Sequence, residues 1–170
     1  TGLSDGCTPV QFAAIHSALF SAGSVSGCGW EPIQDAFLGP IVAQSYHEAG
    51  WPRLIDKDPD FWSHISLLNQ AGHVKFPILY QAADNEYLAM LAGFTAIRQA
   101  GIPSDMFIYP NEDHIKWQPA HRLAVYRRNL AWFDLWLNDT KSAAVDVSKE
   151  AADWIAMKRK WLSRSSSSDF

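Results

Sequence analysis

The chain has 170 residues, enough for one ordinary domain with its own core. A formal net charge of −4 and a hydrophobic content of 48% exclude a nucleic-acid footprint and a disordered chain. Two cysteines, six scattered histidines and no C-x-x-C spacing give no expectation of a metal or a cofactor, and no apolar run of about 18 residues predicts a membrane span.

The first element is the opening pentapeptide Gly2-Leu3-Ser4-Asp5-Gly6, which fits G-x-S-x-G. In that turn two glycines let a strand and a helix pack closely around a strained serine, whose hydroxyl stands above the end of a sheet. Such an elbow needs a strand before it, and only Thr1, Gly2 and Leu3 precede Ser4. Upstream strands are therefore expected to lie outside this chain. An N-terminal threonine can itself act as a nucleophile through its own amine, but that reading leaves Asp84 and His114, discussed below, without a role. No signal peptide is visible at Thr1, and the compartment, cytoplasm or periplasm, stays open.

Thr8-Pro9-Val10-Gln11 predicts a helix start, with Thr8 as cap, Pro9 in the first turn and Gln11 closing a capping box. The helix should run over about 9–20, with Phe12, Ile15 and Leu19 on one stripe. Its N-terminus points back at Ser4 and favours a developing negative charge there. Gly23 to Trp30 reads as a short strand of small residues, and spacing does not decide whether Cys7 and Cys28 pair. From Glu31 to Val74, Pro32, Pro40, Pro52 and Pro59 break the pattern into short helical pieces. Tyr46, Trp51, Phe61 and Trp62 predict that this stretch is a packed lid.

Phe76 to Gln81 reads as a buried strand, with Pro77 confined to its beginning. A helix over 86–100 follows, with Leu88, Leu91, Phe94 and Ile97 giving its apolar face and Gly101 and Pro103 stopping it. Asp105 to Tyr109 is the next strand. The last long helix starts at Pro119 and places Leu123, Tyr126, Leu130, Phe133 and Leu137 on one stripe. Strand, helix, strand, helix with short connections implies an α/β fold with a parallel sheet. Residues 141–170 form a second unit, a helix capped by Ser148 and carrying Trp154, Ile155, Trp161 and Leu162, then a disordered serine-rich end. Lys158-Arg159-Lys160 on it is read as cations near a docked helix's C-terminus rather than as a membrane contact.

The chemistry follows from what stands after each strand. Asp84 ends Tyr80-Gln81-Ala82-Ala83-Asp84, and His114 ends Tyr109-Pro110-Asn111-Glu112-Asp113-His114. Ser, then Asp, then His is the chain order of α/β-hydrolase triads, and the carboxyl ends of parallel strands are where such sheets place their sites. Ser4 is the candidate nucleophile and His114 the base that takes its proton. Asp84 would hold the other imidazole nitrogen, and the backbone N–H of Asp5 would be one oxyanion donor, the second lying upstream. Trp30 is equally a pocket wall and a core residue. Asn85 and Glu86 face the same cleft rim and are candidate substrate contacts. Glu112 and Asp113 read as solvated neighbours of His114, and His16, His47, His64, His73 and His121 as surface or packing residues.

These motifs resemble the catalytic domain of the prolyl oligopeptidase family of serine peptidases, over about residues 1–138. The resemblance implies that residues 1–140 are the C-terminal part of an α/β-hydrolase domain, with Ser4, Asp84 and His114 as its triad and Trp30 at the specificity pocket. It also implies an N-terminal β-propeller and the first hydrolase strands as the remainder of the same polypeptide. A narrower likeness rests on His114-Ile115-Lys116-Trp117-Gln118-Pro119-Ala120-His121-Arg122-Leu123, Tyr126-Arg127-Arg128-Asn129-Leu130 and Trp132-Phe133. These resemble the lasso-peptide isopeptidases, which cut the isopeptide bond closing a lasso peptide's ring. Ile115 and Tyr87 depart from the wider family's usual glycine and aliphatic residue, and neither touches the triad. The implied function is a serine isopeptidase working through an acyl-enzyme. The alternatives are a dipeptidyl- or oligopeptidase on linear peptides, an esterase, or an inactive binding domain.

Overall fold

The computed structural model describes residues 1–27, 29–138 and 148–165. Four parallel strands form one sheet in sequence order: β1 (Gly2–Leu3), β2 (Gly23–Ser26), β3 (Ile78–Ala83) and β4 (Ser104–Tyr109). Helices α1 (Cys7–His16), α2 (Asp35–Leu38), α3 (Pro40–Glu48), α4 (Pro59–Ile65), α5 (Leu67–Gln70), α6 (Tyr87–Gln99), α7 (Pro119–Asn138) and α8 (Ser148–Ser165) surround it.

β3 is buried along its whole length, as a central strand of a parallel sheet must be when helices cover both faces. Its alternation sorts the core. Ile78, Tyr80 and Ala82 join Val25 against Ile15, Leu67, Met90 and Ile97 on one face, while Leu79 meets Ala131, Trp132 and Trp154 on the other. The second face also carries a polar lattice. Gln81 is fully buried, and its Nε2 donates to Asn129 Oδ1 at 2.9 Å while its Oε1 accepts from Tyr109 Oη at 2.7 Å. Ser24 Oγ donates to the same Asn129 Oδ1 at 2.6 Å, and Arg128 donates to Tyr109 Oη at 3.1 Å. This lattice pins α7 to the sheet, because breaking one bond would leave a buried polar group unpaired.

Several helix faces differ from the periodic reading. α1 starts at Cys7, directly out of the turn at Ser4–Gly6, and has no side-chain cap. Gln11 closes no capping box. It is buried, accepts from Trp30 N at 3.3 Å and donates to Ile65 O at 3.2 Å, tying α1 to the lid. Of the expected stripe Ile15 is buried while Phe12 and Leu19 are exposed, and Cys7 and Ala14 supply the rest of the core contact. On α6 the buried residues are Ala89, Met90, Gly93 and Ile97, not Leu88 and Leu91. Small residues face inward there because the neighbours come close: a Cβ on Gly93 would lie 2.2 Å from Glu31 Oε1. On α7 most of the expected stripe faces outward, with Phe133 the member of it that packs against the core. Ala131 and Trp132 are buried, whereas Leu123, Tyr126, Leu130 and Leu137 are exposed.

The stretch between β2 and β3 is packed, as its aromatic content predicts. Trp51 lies 5.1 Å from the Trp30 and Phe61 rings and 5.3 Å from Tyr46. Asp58 caps α4 by accepting from Phe61 N, and Ser66 caps α5 by accepting from Asn69 N. Helix α8 docks on the second face. Trp154 is buried and donates from Nε1 to Asp105 Oδ2 at 2.6 Å, and Lys158 Nζ reaches Leu135 O at 2.6 Å. Cys7 is disulfide-bonded, while Cys28 and the serine-rich end beyond Ser165 lie outside the described residues. Among the described residues no helix is long and apolar enough to cross a membrane.

Candidate active site

The site forms at the carboxyl ends of the parallel strands. Ser4 follows β1 with φ +56°, a left-handed conformation in which a non-glycine residue is strained. The glycines of the motif make room for it, since a Cβ on Gly2 would fall 2.1 Å from Gly6 O. The turn feeds directly into α1, so the helix N-terminus follows Ser4 within three residues.

His114 lies in the loop between β4 and α7, and Glu112 builds that loop. Glu112 is buried rather than solvated, because its carboxylate accepts from Trp117 N at 2.8 Å, Gln118 N at 3.2 Å and His121 Nδ1 at 2.7 Å. His121 is thereby a packing residue with a specific partner. Asn111 starts the turn with φ +52°.

Asp84 does not meet His114. It is exposed and accepts from Asn111 N at 2.7 Å, joining the end of β3 to the loop after β4. Glu86 stands on the imidazole instead, with its carboxylate in direct contact with His114 Nδ1. The chain bends after β3, with Glu86 N donating to Ala83 O at 3.1 Å, and this bend brings the longer glutamate side chain inward. Glu86, a candidate substrate contact, lines the cleft with one carboxylate oxygen engaged by the histidine. Its second oxygen, Oε2, is buried without a hydrogen-bond partner and has Lys116 Nζ 3.9 Å away.

Gly27, with φ +65°, closes over this pair. A Cβ there would lie 2.9 Å from His114 Nδ1 and 3.1 Å from Glu86 Oε2. Neither Gly27 nor Lys116 belongs to the constellation that the sequence motifs mark. The one signal available was the cluster of small residues that follows β2.

Ser4, His114, Glu86 and Asn85 line one cavity of about 320 Å³, whose remaining walls include Trp30, Phe37, Leu38, Val42 and Tyr46. Trp30 is both wall and core: it is 4% exposed and its ring centroid lies 4.9 Å from that of Tyr46. Tyr46 Oη donates to Asp5 Oδ1 at 2.7 Å, so the lid is fastened to the residue after Ser4. Burial, with the Asp5 carboxylate beside it, pushes the Tyr46 hydroxyl well above the usual tyrosine range, so it stays a donor. A serine, an imidazole and a carboxylate beside an apolar cavity can perform acyl transfer, with the Asp5 amide as a candidate oxyanion donor. No group of three or more potential metal ligands occurs among the described residues.

No protein-family model matches the chain. The lasso peptide isopeptidase AtxE2 of Asticcacaulis excentricus is 42% identical over 159 residues, 93% of this chain and 23% of that protein. Dipeptidyl-peptidase 5 of Porphyromonas gingivalis is 28% identical over 128 residues, 75% of this chain and 16% of that protein. A solved serine-to-alanine variant of the AtxE2 isopeptidase with Astexin3-dC4 bound matches with a TM-score of 0.85 at 40% identity, over 93% of this chain and 24% of that one. Pyrococcus horikoshii acylaminoacyl peptidase matches with a TM-score of 0.67 at 21% identity over 87% of this chain and 25% of that one, a likeness of fold alone. The chain therefore spans about a quarter of the AtxE2 isopeptidase it matches. With the α/β-hydrolase sheet and the strained serine turn in place, 93% of this chain is similar to about a quarter of a lasso peptide isopeptidase, and its fold is that of the α/β-hydrolase peptidases.

Proposed function

We propose that this chain supplies the nucleophile, base and orienting acid of a serine isopeptidase that opens lasso peptides. Ser4 attacks the carbonyl, His114 takes its proton and returns it to the leaving amine, and Glu86 holds the imidazole and stabilises the imidazolium. Asp84 braces the loop that carries His114. The observation that carries this reading is the Glu86 carboxylate on His114 Nδ1, with Ser4 lining the same cavity. The likeness to the AtxE2 isopeptidase supports the substrate class. An isopeptide bond is still an amide, so the chemistry is ordinary and recognition is the harder problem. A threaded ring is a preorganised ligand that loses little conformational entropy on binding. The remainder of the polypeptide, with a β-propeller and the first hydrolase strands, would complete the site and supply the second oxyanion donor.

The test is turnover by the full-length protein of threaded, thermally unthreaded and linear forms of one peptide, followed by mass spectrometry. Preferred opening of the threaded form is expected. Equal turnover of the linear form would favour the second reading, a linear-peptide peptidase, which the similarity to dipeptidyl-peptidase 5 suggests.

A further inference from the structure

Lys116 is a lysine where none is expected. Its side chain is 6% exposed, and long cationic side chains are seldom buried without a partner. Its Nζ donates to Ser26 Oγ at 3.3 Å, at the end of β2, and lies 3.9 Å from Glu86 Oε2. Ser26 Oγ in turn donates to Gln81 O at 2.8 Å, so the hydroxyl's own proton is committed and its lone pair is offered to the ammonium. At 3.9 Å the lysine makes no hydrogen bond to Glu86, but two opposite charges at that separation in a poorly solvated site still attract strongly. The oxygen it faces has no hydrogen-bond donor of its own.

The other charged groups around it are few. Glu112 and His114 come from its own loop, Glu112 being engaged with His121 and two backbone amides. Arg122, near the start of α7, lines the same second cavity as Lys116 and His114. The group balancing the buried half of the Glu86 carboxylate is thus Lys116.

We infer that Lys116 is a positioning residue of the catalytic unit: its buried ammonium, seated on Ser26, offsets the charge of the Glu86 carboxylate behind His114 and sets the lower pH limit at which the site works. This rests on the reading of Ser4, His114 and Glu86 as one unit. Desolvation lowers the Lys116 proton affinity, and Glu86 and Glu112 raise it. Removing the cation leaves the glutamate's charge uncompensated. An uncompensated carboxylate holds a proton more readily, and it makes the imidazole beside it hold one more readily too. Both effects move the acid limb of activity the same way, to higher pH.

The experiment measures the rate of Ser4 labelling by a fluorophosphonate against pH in the full-length protein, for wild type, Lys116→Met and Lys116→Arg, each with a thermal melt. Lys116→Met is expected to shift the acid limb up by about one pH unit while keeping much of the alkaline plateau. Lys116→Arg, which keeps the charge, should hold the limb near wild type. Lys116→Gln, which keeps a donor for Ser26 Oγ, carries the same test if the methionine variant does not fold. An unmoved limb in the neutral variants overturns the inference, even where plateau rate or melting temperature falls. An equal shift in Lys116→Arg also overturns it, since charge would not be the cause. Failure of the wild type to label at Ser4 would instead sink the serine-hydrolase reading itself.

Discussion

Glu86 and Asp84 stand two residues apart at the end of β3, and only the first touches the imidazole. Their amide variants should therefore separate. Glu86→Gln is expected to reduce fluorophosphonate labelling of Ser4 on the order of 10³-fold or more, because an amide cannot stabilise the imidazolium as a carboxylate does. Asp84→Asn keeps an acceptor for Asn111 N and should cost only a few-fold, about 1 kcal/mol or less. The reverse order would return the acid role to Asp84. Gly27 offers a steric test. Gly27→Ala places a methyl against His114 and Glu86 at a positive φ, and should lower the labelling rate about 10²-fold through misplacement of the pair. Labelling at the wild-type rate would show that the pair has room to move.

Among the elements, the lid and α8 depend on single buried groups. Glu31 sits under the lid at 1% exposure, accepting from Leu67 N and Leu68 N at 3.1 Å and from the Ser66 hydroxyl. Desolvation outweighs those bonds and raises its pKa from 4.5 to about 7. A carboxyl whose pKa is raised on folding stabilises the fold below its unfolded value, and that contribution is lost as pH rises through the folded value. Stability should thus fall by about 3 kcal/mol between pH 4.5 and about 7 from this group, at 1.36 kcal/mol per pKa unit. Denaturant melts of wild type and Glu31→Gln across that window check it; parallel slopes would remove Glu31 as the cause. For α8, Trp154→Ala deletes a buried ring and its bond to Asp105, and should cost about 3–5 kcal/mol. A proteolysis time course is expected to show cleavage near residues 148–165 first.

For the whole molecule, the exposed apolar residues are informative. Leu3, Leu123, Tyr126 and Leu130 are each about half exposed, and β1 leaves a sheet edge beside them. An unpaired edge next to an uncovered apolar helix face is a site for association. Residues 1–170 produced alone are expected to self-associate and to label poorly with the probe, where the full-length protein does neither. A monodisperse, fully reactive 170-residue product, measured by light scattering and labelling, would contradict this. The β1 edge also shows why the fold was legible before the site was. Short strand-like segments with their own stops, alternating with helical ones, give a parallel α/β sheet from local pattern, and the tertiary structure sets the strand order β1-β2-β3-β4.

The sequence by itself determined the strained serine turn, the parallel α/β order, the histidine after the last strand and the helix start at Pro119. These depend on turn chemistry and periodicity held within a few residues. Tertiary structure alone decided which carboxylate meets His114, across 28 residues of chain, because that turns on a bend after β3 and on side-chain reach. It also decided that Glu112 is buried, that Lys116 backs Glu86, and that α7 turns Ala131 and Trp132 inward instead of most of its larger apolar stripe. Periodicity finds an apolar face but cannot say whether the sheet, another part of the polypeptide or solvent lies against it. That depends on what packs there, and one helix carries no record of its neighbours.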